Sequence, residues 1–176
     1  MIAIEQQEAG TPAPPPPHSS EDSPTYSRAE AIVFVVQRRN PLRAAYGLVI
    51  RFFDRKGRVV RTIRQQSEVS FDKSSHEIAL RGVLIAISLV EPELNLTIKC
   101  NHKRADDQLH DLADMNDRSW RCSGGTLSRH LLLLQDIYDV KASRANVDFV
   151  TLRARKTGPY ALAKSLANGV VDAKRG

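Results

Sequence analysis

Residues 31–36, AIVFVV, constrain the fold of this chain more than any other segment. They are six apolar residues in a row, mostly β-branched, with no alternation between apolar and polar positions. That pattern is typical of a strand that is buried on both of its faces. A sheet built around this segment therefore needs other elements packed against each side of it.

The remaining periodic segments predict a mixed sheet. A tight turn, DRKG, joins the second and third predicted strands, so 31–66 is interpreted as an antiparallel meander. Strand-helix-strand units then follow, which predicts parallel strands and helices on both faces of one five-stranded α/β sheet. The predicted strands are 31–36, 45–53, 58–66, 94–100 and 146–152, and the predicted helices are 74–90, 103–115, 126–140 and 160–171.

The first 26 residues differ from the rest of the chain. They contain TPAPPPPHSSEDSPTY, four acids and no Lys or Arg. Such a composition cannot bury enough apolar surface to offset chain entropy, so 1–26 is predicted to be a disordered tail. A proline-rich docking peptide for a protein partner is the alternative. The folded domain is predicted over 27–172, with a frayed end at 173–176.

Removing the tail concentrates positive charge in the domain. Residues 27–176 hold all 26 Lys and Arg and 16 of the 20 acids, a net charge of +10. This favours a polyanionic partner, with nucleic acid first. Two cysteines make no disulfide framework, and the sequence has neither a membrane-length apolar run nor a secretory signal. We therefore expect a soluble, intracellular protein, cytoplasmic by default, without membrane contact.

Four stretches, in this order, resemble motifs of the ribonuclease H family. RRNPLRAAYGLVI resembles the glycine-rich turn after strand one, and SSHEIALRGVLIAI resembles the helix that begins with a catalytic Glu. LTIKCNHKRADDQL resembles the strand that ends in Asp-Ser, and ALAKSLANGVV resembles the last helix, whose usual motif is Ala-Asp-x-Leu-Ala-Asn. The resemblance covers about residues 28–172 and implies the ribonuclease H-like fold.

The family cleaves the RNA strand of RNA–DNA hybrids with two Mg²⁺ ions held by four carboxylates. The position of the second carboxylate matches Glu77. The third matches Asn101 and the fourth matches Lys164, whose ammonium opposes Mg²⁺ by charge repulsion. The first matches Phe34 or Gln37, depending on gap placement. One carboxylate in four implies a degenerate site with no metal and no cofactor, so Mg²⁺ is expected only if the chain is an active, atypical nuclease.

Each matched position also has a structural explanation. Glu77 fits position N3 of a Ser-x-x-Glu capping box that begins at Ser74. Asn101 fits an N-cap of the next helix. Lys164 could form an ion pair with Glu77 in the emptied site.

Two metal-site alternatives are weaker. Cys100, His102, His110 and Cys122 lack the spacing of a zinc site, so buried thiols and surface imidazoles are expected. A run of acids after the fourth strand is interpreted as a solvated helix face near an N-terminus rather than a rebuilt metal site. These acids are Asp106, Asp107, Asp111 and Asp114.

Several polar and aromatic residues are predicted to contact nucleic acid. Guanidinium groups suit phosphates, and the resemblance places the turn after strand one, a Trp-containing loop and the loop before the last helix near a hybrid. The predicted contact residues are Arg38, Arg39, Asn40, Arg43, Trp120, Arg153, Arg155 and Lys156. Further basic residues lie on or beside the second and third strands. A lone Trp is also a common core residue.

The leading hypothesis is a catalytically degenerate ribonuclease H-like domain that binds RNA, DNA or RNA–DNA hybrid through a basic surface. A protein-interaction or structural module on an inactive scaffold is the first alternative. An active metal-dependent ribonuclease H with an atypical site is the second.

Overall fold

The structure, a computed structural model, describes residues 25–39, 42–144, 146–152 and 158–173. Four of the predicted nucleic-acid contacts lie outside these ranges, namely Asn40, Arg153, Arg155 and Lys156. The predictions for the acidic tail up to residue 24 and for the frayed end from residue 174 also lie outside them.

The described chain forms one five-stranded sheet with five helices. The strand order is β3-β2-β1-β4-β5. β1 pairs antiparallel with β2, and β2 with β3, whereas β1 and β4, and β4 and β5, pair in parallel. The predicted meander followed by parallel strands is therefore confirmed. The strands are β1 (Arg28–Arg38), β2 (Arg43–Phe53), β3 (Val59–Gln66), β4 (Asn95–Cys100) and β5 (Val147–Phe149), and the helices are α1 (Ser75–Ser88), α2 (Lys103–His110), α3 (Leu112–Asp117), α4 (Leu131–Ala142) and α5 (Pro159–Asp172).

The apolar run at 31–36 is buried throughout and lies in the middle strand, β1. Alternate residues of β1 enter two separate cores. Val33 and Val35 pack on the side of α1 and α4, and Phe34 packs with α5 on the other side. Helices on both faces of the sheet are therefore confirmed, because this strand needs cover on each of them.

The predicted helix over 103–115 is divided into α2 and α3 at Asp111, whose φ of −90° and ψ of 5° end the first helix. Asp is a weak helix former, so a break at this residue costs little. The two short helices keep Leu109, Leu112 and Met115 buried.

The predicted helix over 126–140 begins five residues later, at Leu131. The backbone before it is already used elsewhere. Cys122 N–H donates to the Thr126 carbonyl at 2.8 Å, and Ser128 N–H donates to the Trp120 carbonyl at 3.0 Å. Residues that pair with a neighbouring segment in this way cannot also form the first turn of a helix.

Gly47 in β2 lets α5 lie directly on the sheet. A Cβ at this position would lie 2.0 Å from the Ala163 carbonyl oxygen and 2.8 Å from the Ala167 nitrogen. A glycine is therefore required here by close backbone approach rather than by an unusual φ. None of the helices in the described ranges combines the length and apolar character needed to cross a membrane.

Candidate functional site

Asn101, one of the residues matched to the nuclease site, lies directly after β4. Its side chain joins β4 to β1. The amide oxygen accepts a hydrogen bond from Val35 N–H at 2.7 Å, and the amide nitrogen donates to the Val35 carbonyl at 3.1 Å. Both polar groups of the amide therefore act as a substitute for a backbone partner, and the oxygen is not directed at a ligand.

The sequence pattern fitted Asn101 as the N-cap of the next helix. In the structure Asn101 does not cap that helix. The N-cap of α2 is His102, whose Nδ1 accepts a hydrogen bond from Ala105 N–H at 3.3 Å. Asn101 is unavailable for that role because its amide is already bonded to Val35.

Phe34 and Gln37 occupy different environments. Val33 pairs with Cys100 in the parallel register, so Phe34 lies beside Asn101. Its ring is buried and meets Tyr160 of α5 edge to face, with ring centroids 5.0 Å apart. Gln37 is exposed at the end of β1 and pairs with Ala44. The place beside the β4 end is therefore filled by an aromatic contact.

Glu77 lies in the first turn of α1 and is paired with two cations. Arg81 Nη2 lies 2.9 Å and Lys73 Nζ 3.6 Å from its Oε1 atom. Partial burial raises the pKa of Glu77, but the hydrogen bond from Arg81 and the two positive charges outweigh it and hold that pKa below its usual value.

These partners contradict the expected ion pair between Glu77 and Lys164. Lys164 is exposed on α5, and its described surroundings include no carboxylate within ion-pairing distance. Glu77 N–H donates to the Ser74 hydroxyl at 3.1 Å, so half of the predicted capping box is formed. The Glu77 carboxylate is held by Arg81 instead of a backbone N–H.

The four matched positions do not fit a pair of Mg²⁺ ions. Mg²⁺ prefers several carboxylate or other oxygen ligands. The structure provides a buried ring, an amide with both groups bonded, a carboxylate neutralised by two cations, and an exposed ammonium. Among the described residues, no group of three or more His, Cys, Asp or Glu side chains is arranged to hold a metal ion.

The four residues considered as zinc ligands have different environments and do not act together. Cys100 is buried, and burial raises its pKa to about 12, which disfavours the thiolate that zinc requires. Cys122 is exposed and His102 is half-buried, so both differ from the expected buried thiols and surface imidazoles. His110 is bonded to the Asp106 carbonyl of its own helix at 2.8 Å.

Asp106 departs from the predicted solvated helix face. Its side chain is buried and accepts a hydrogen bond from the Thr151 hydroxyl at 2.9 Å. It ties α2 to the segment after β5. Asp107, Asp111 and Asp114 are exposed as expected.

Two predicted nucleic-acid contacts are structural. Arg43 is 6% exposed, and its guanidinium donates to the Val171 carbonyl near the end of α5 at 3.1 Å. Trp120 is 8% exposed and meets Tyr138 edge to face at 5.7 Å. Both residues lie in the protein interior, where neither side chain can reach a nucleic-acid strand.

The other arginines of the β1–β2 turn differ from each other. Arg38 donates to the Asn168 side chain at 2.8 Å and lies 3.7 Å from the Asp172 carboxylate, so it also secures α5. Arg39 is exposed. Only Arg39 of these described turn residues presents its guanidinium without a contact to α5.

A pocket that the sequence did not reveal lies beside Glu77. Its volume is about 520 Å³, and we call it the histidine pocket. The N-termini of α1, α2 and α4 meet there, because Ser74, His102 and His130 are their N-cap residues. The basic side chains of Arg104 and Arg129 are at its edge, and Gln108 and Ser128 complete its polar wall.

Three imidazoles form the floor of the histidine pocket. The His76 ring stacks on His102 at 5.4 Å and meets His130 edge to face at 4.6 Å. Desolvation lowers the pKa of His76 to about 4, and burial also lowers the pKa of His102 and His130. All three rings are therefore neutral near pH 7, packed between the positive ends of three helix dipoles.

One buried ring nitrogen in this pocket has no hydrogen-bond partner in the described part of the chain. His76 Nε2 is bonded to the Gln108 side-chain oxygen at 2.6 Å, whereas His130 Nε2 is buried with no hydrogen-bond partner among the described residues. A sequence signal was present, since each histidine is at or next to a helix start. It could not be interpreted without the packing that joins the three helices.

The architecture is shared with solved ribonuclease H structures. A foamy viral protease-reverse transcriptase in complex with an RNA/DNA hybrid aligns with a TM-score of 0.66 and 13% identity, over 97% of this chain and 22% of that chain. A foamy viral protease-reverse transcriptase in complex with dsDNA aligns with a TM-score of 0.65 and 13% identity, over 84% of this chain and 96% of that chain. LC9-RNase H1, a type 1 RNase H with the type 2 active-site motif, aligns with a TM-score of 0.65 and 16% identity, over 85% of this chain and 74% of that chain.

These likenesses confirm the ribonuclease H-like fold. This chain spans about a fifth of the hybrid-bound viral chain. No protein-family model and no curated protein sequence matches it.

Proposed function

We propose that this ribonuclease H-like domain binds nucleic acid through the histidine pocket and its basic edge, and does not cleave it. The observation that carries the proposal is the meeting of three helix N-termini with Arg104 and Arg129 in one pocket. Helix N-termini bind phosphate because their free N–H groups and dipoles favour negative charge. Guanidinium groups at the edge add charge-assisted hydrogen bonds to phosphate oxygens.

The charge of the whole domain supports the same partner. The net charge of +10 over 27–176 attracts polyanions at long range, and the pocket gives one place for a backbone phosphate. The viral proteins with this fold were solved with a hybrid and with dsDNA. Phosphate contacts position a strand without reading its sequence, so the proposal implies affinity for several nucleic-acid types.

The absence of cleavage is proposed from the chemistry of the matched positions. A two-metal mechanism needs carboxylates that hold both ions. Of the four positions only Glu77 is a carboxylate, and Arg81 and Lys73 neutralise it.

The test of binding is a salt titration of the full chain with labelled RNA–DNA hybrid, dsDNA and single-stranded RNA. We expect affinity that falls steeply with salt, and a slope reduced by about one phosphate contact in each of Arg104→Gln and Arg129→Gln. Lys103→Gln is the matched control, because Lys103 is on the same helix but 90% exposed and paired with Asp107. Equal losses in all three variants, or no binding of any nucleic acid at low salt, would contradict the proposal.

The test of cleavage is incubation of the same hybrid with Mg²⁺ or Mn²⁺. We expect intact hybrid in both. Cleavage that disappears in Glu77→Gln would establish the active-nuclease alternative instead.

A second candidate function is protein interaction. Leu132 is 75% exposed, and it borders a groove of about 420 Å³ between α1 and α4 that Leu84 and Leu133 also line. A stoichiometric protein that copurifies with the wild-type chain but not with Leu132→Gln, in preparations free of nucleic acid, would favour this function.

A further inference from the structure

On the sheet face that carries α5, the described residues line a second pocket, which we call the sheet pocket. Its volume is about 670 Å³, within the usual range of about 300–1,000 Å³ for small-molecule sites. Its floor is formed by sheet residues Glu30, Ile32, Arg51 and Lys99, and its walls include Leu152 and Tyr160. We propose that the sheet pocket binds a small organic anion, with its charged group on this floor and an apolar or aromatic body against these walls.

The three charged residues belong to the three central strands. Glu30 of β1 is directly paired with Arg51 of β2, and Lys99 lies on the neighbouring strand β4. Lys99 Nζ is 2.7 Å from Glu30 Oε1, and Arg51 Nη2 is 3.4 Å from Glu30 Oε2. Their side chains are largely buried, with exposures of 14% for Glu30, 27% for Arg51 and 29% for Lys99.

The groups on this floor that can still form hydrogen bonds are N–H donors. Both oxygens of Glu30 already have a cationic partner. Lys99 Nζ has two further N–H groups, and the Arg51 guanidinium has further N–H groups beside the one nearest Glu30. Two cations share one anion, so the floor carries a net positive charge. A ligand that satisfies it must bring acceptor oxygens and negative charge.

The walls select the rest of the ligand. Tyr160 packs on one side against Phe34, and together with Leu152 it offers an apolar surface beside the charged floor. α5 begins at Pro159 without a side-chain N-cap, so its positive end adds to the attraction for an anion. Thr151, also at the pocket, has donated its hydroxyl hydrogen to Asp106.

The sheet pocket is independent of the proposed nucleic-acid interface. The two pockets have no lining residue in common. Small-anion binding and nucleic-acid binding can therefore succeed or fail separately.

The test is calorimetric titration of the full chain with adenosine 5′-monophosphate, adenosine and inorganic phosphate. We expect the monophosphate to bind more tightly than either of the other two, because only it brings both charge and a flat body. Arg51→Gln and Lys99→Gln should each weaken its binding by about tenfold. Glu30 keeps one cation in either variant, so both are expected to fold, which thermal unfolding checks.

Glu30→Gln is expected to change the affinity for the monophosphate in the opposite direction. Removing the carboxylate releases both cations for the ligand, so the monophosphate should bind several-fold more tightly. A purely structural role for the three charges would not produce tighter binding. Arg58→Gln is the matched charge control, since Arg58 is 71% exposed and pairs with Asp54 in the β2–β3 turn.

Any one of several outcomes of the titrations would overturn the proposal. They are no binding of the monophosphate, equal binding of adenosine, equal binding of phosphate alone, and binding unchanged in both Arg51→Gln and Lys99→Gln. If Arg104→Gln abolishes the binding of the monophosphate, the ligand occupies the histidine pocket and the assignment to the sheet pocket is wrong.

Discussion

At the scale of single residues, the matched nuclease positions have taken up structural roles. Asn101 joins two strands, and Phe34 fills the neighbouring space against Tyr160. These roles explain why an amide and a ring are suitable where a nuclease would need carboxylates. A carboxylate in place of Asn101 would disturb the strand contact before it could create a metal site.

Asn101→Asp tests this interpretation. The new carboxylate would lack the donor that Asn101 presents to the Val35 carbonyl, so two acceptors would face each other. We expect a loss of about 1–3 kcal/mol in the free energy of unfolding, measured by urea denaturation. We also expect no cleavage of hybrid. Asn95→Asp, at the exposed start of the same strand, should change stability little. Unchanged stability in Asn101→Asp would show that the bridge to Val35 contributes little.

His76 makes stability depend on pH. Its pKa is about 4 in the folded chain and about 6.5 in an unfolded chain. Between these values the unfolded chain binds the proton more readily, so the free energy of unfolding falls as pH decreases from 6.5 to 4. The expected loss is roughly 1–3 kcal/mol over this window.

Urea unfolding at pH 7.5, 6 and 4.5 measures the effect. His76→Gln should reduce the difference between the pH values, whereas His110→Gln, at an exposed position, should leave it nearly unchanged. His102 and His130, whose pKa values are lowered in the same direction, would leave part of the slope in the variant. An identical slope in wild type and His76→Gln would contradict this role.

At the scale of elements, the position of α5 is set by close contact with β2. Gly47 permits that contact, while Arg38 and Arg43 hold the C-terminal part of the helix by hydrogen bonds to Asn168 and Val171. Basic residues that suggested a nucleic-acid surface thus connect a turn to a helix. Tyr160 lines the sheet pocket from α5, so its position there depends on the same placement of the helix.

Gly47→Ala and Gly169→Ala form a matched pair in these two elements. The methyl group at Gly47 meets backbone atoms of α5, so we expect a loss of about 1–3 kcal/mol in the free energy of unfolding. At Gly169, within α5, an added Cβ has no atom within 4 Å. Its substitution should raise the free energy of unfolding by up to about 1 kcal/mol through helix propensity. Equal effects of the two substitutions in thermal unfolding would contradict the close packing.

At the scale of the whole molecule, charge is divided between the domain and the segment before it. The first 24 residues carry four acids and no Lys or Arg, whereas the rest of the chain has a net charge of +10. Long-range attraction to a polyanion depends on the total, so the acidic segment should weaken any binding of nucleic acid.

Deleting residues 1–24 tests this effect. Tyr26 contacts Phe52 at 5.0 Å and Ser27 N–H donates to the Phe53 carbonyl at 2.8 Å, so the deletion leaves the first described contacts in place. We expect tighter binding of hybrid by about two- to tenfold at low salt, and a difference that disappears at high salt. A full-length variant in which the four acids of residues 1–24 are changed to Gln should show the same increase in affinity for hybrid. A gain retained at high salt would show that the effect is not electrostatic.

The sequence by itself determined the buried middle strand, the strand order of the meander and the helices on both faces, because local periodicity reports which faces of an element are buried. The assignment of Glu77, Asn101 and Lys164 to the matched positions stays a prediction from the motif resemblance. The breaks at Asp111 and before Leu131 were not predicted. Before Leu131, hydrogen bonds between residues 120–122 and 126–128 overrode the local pattern, and at Asp111 the backbone leaves helical geometry although the apolar spacing continues.

Only the tertiary structure decided what the polar residues do. It bonded Asn101 to Val35, buried Arg43 and Trp120, and brought His76, His102 and His130 together. Most of these partners lie tens of residues apart in the chain. A hydrogen bond or ion pair depends on a distance and an angle, and these are fixed only when the helices and strands have packed.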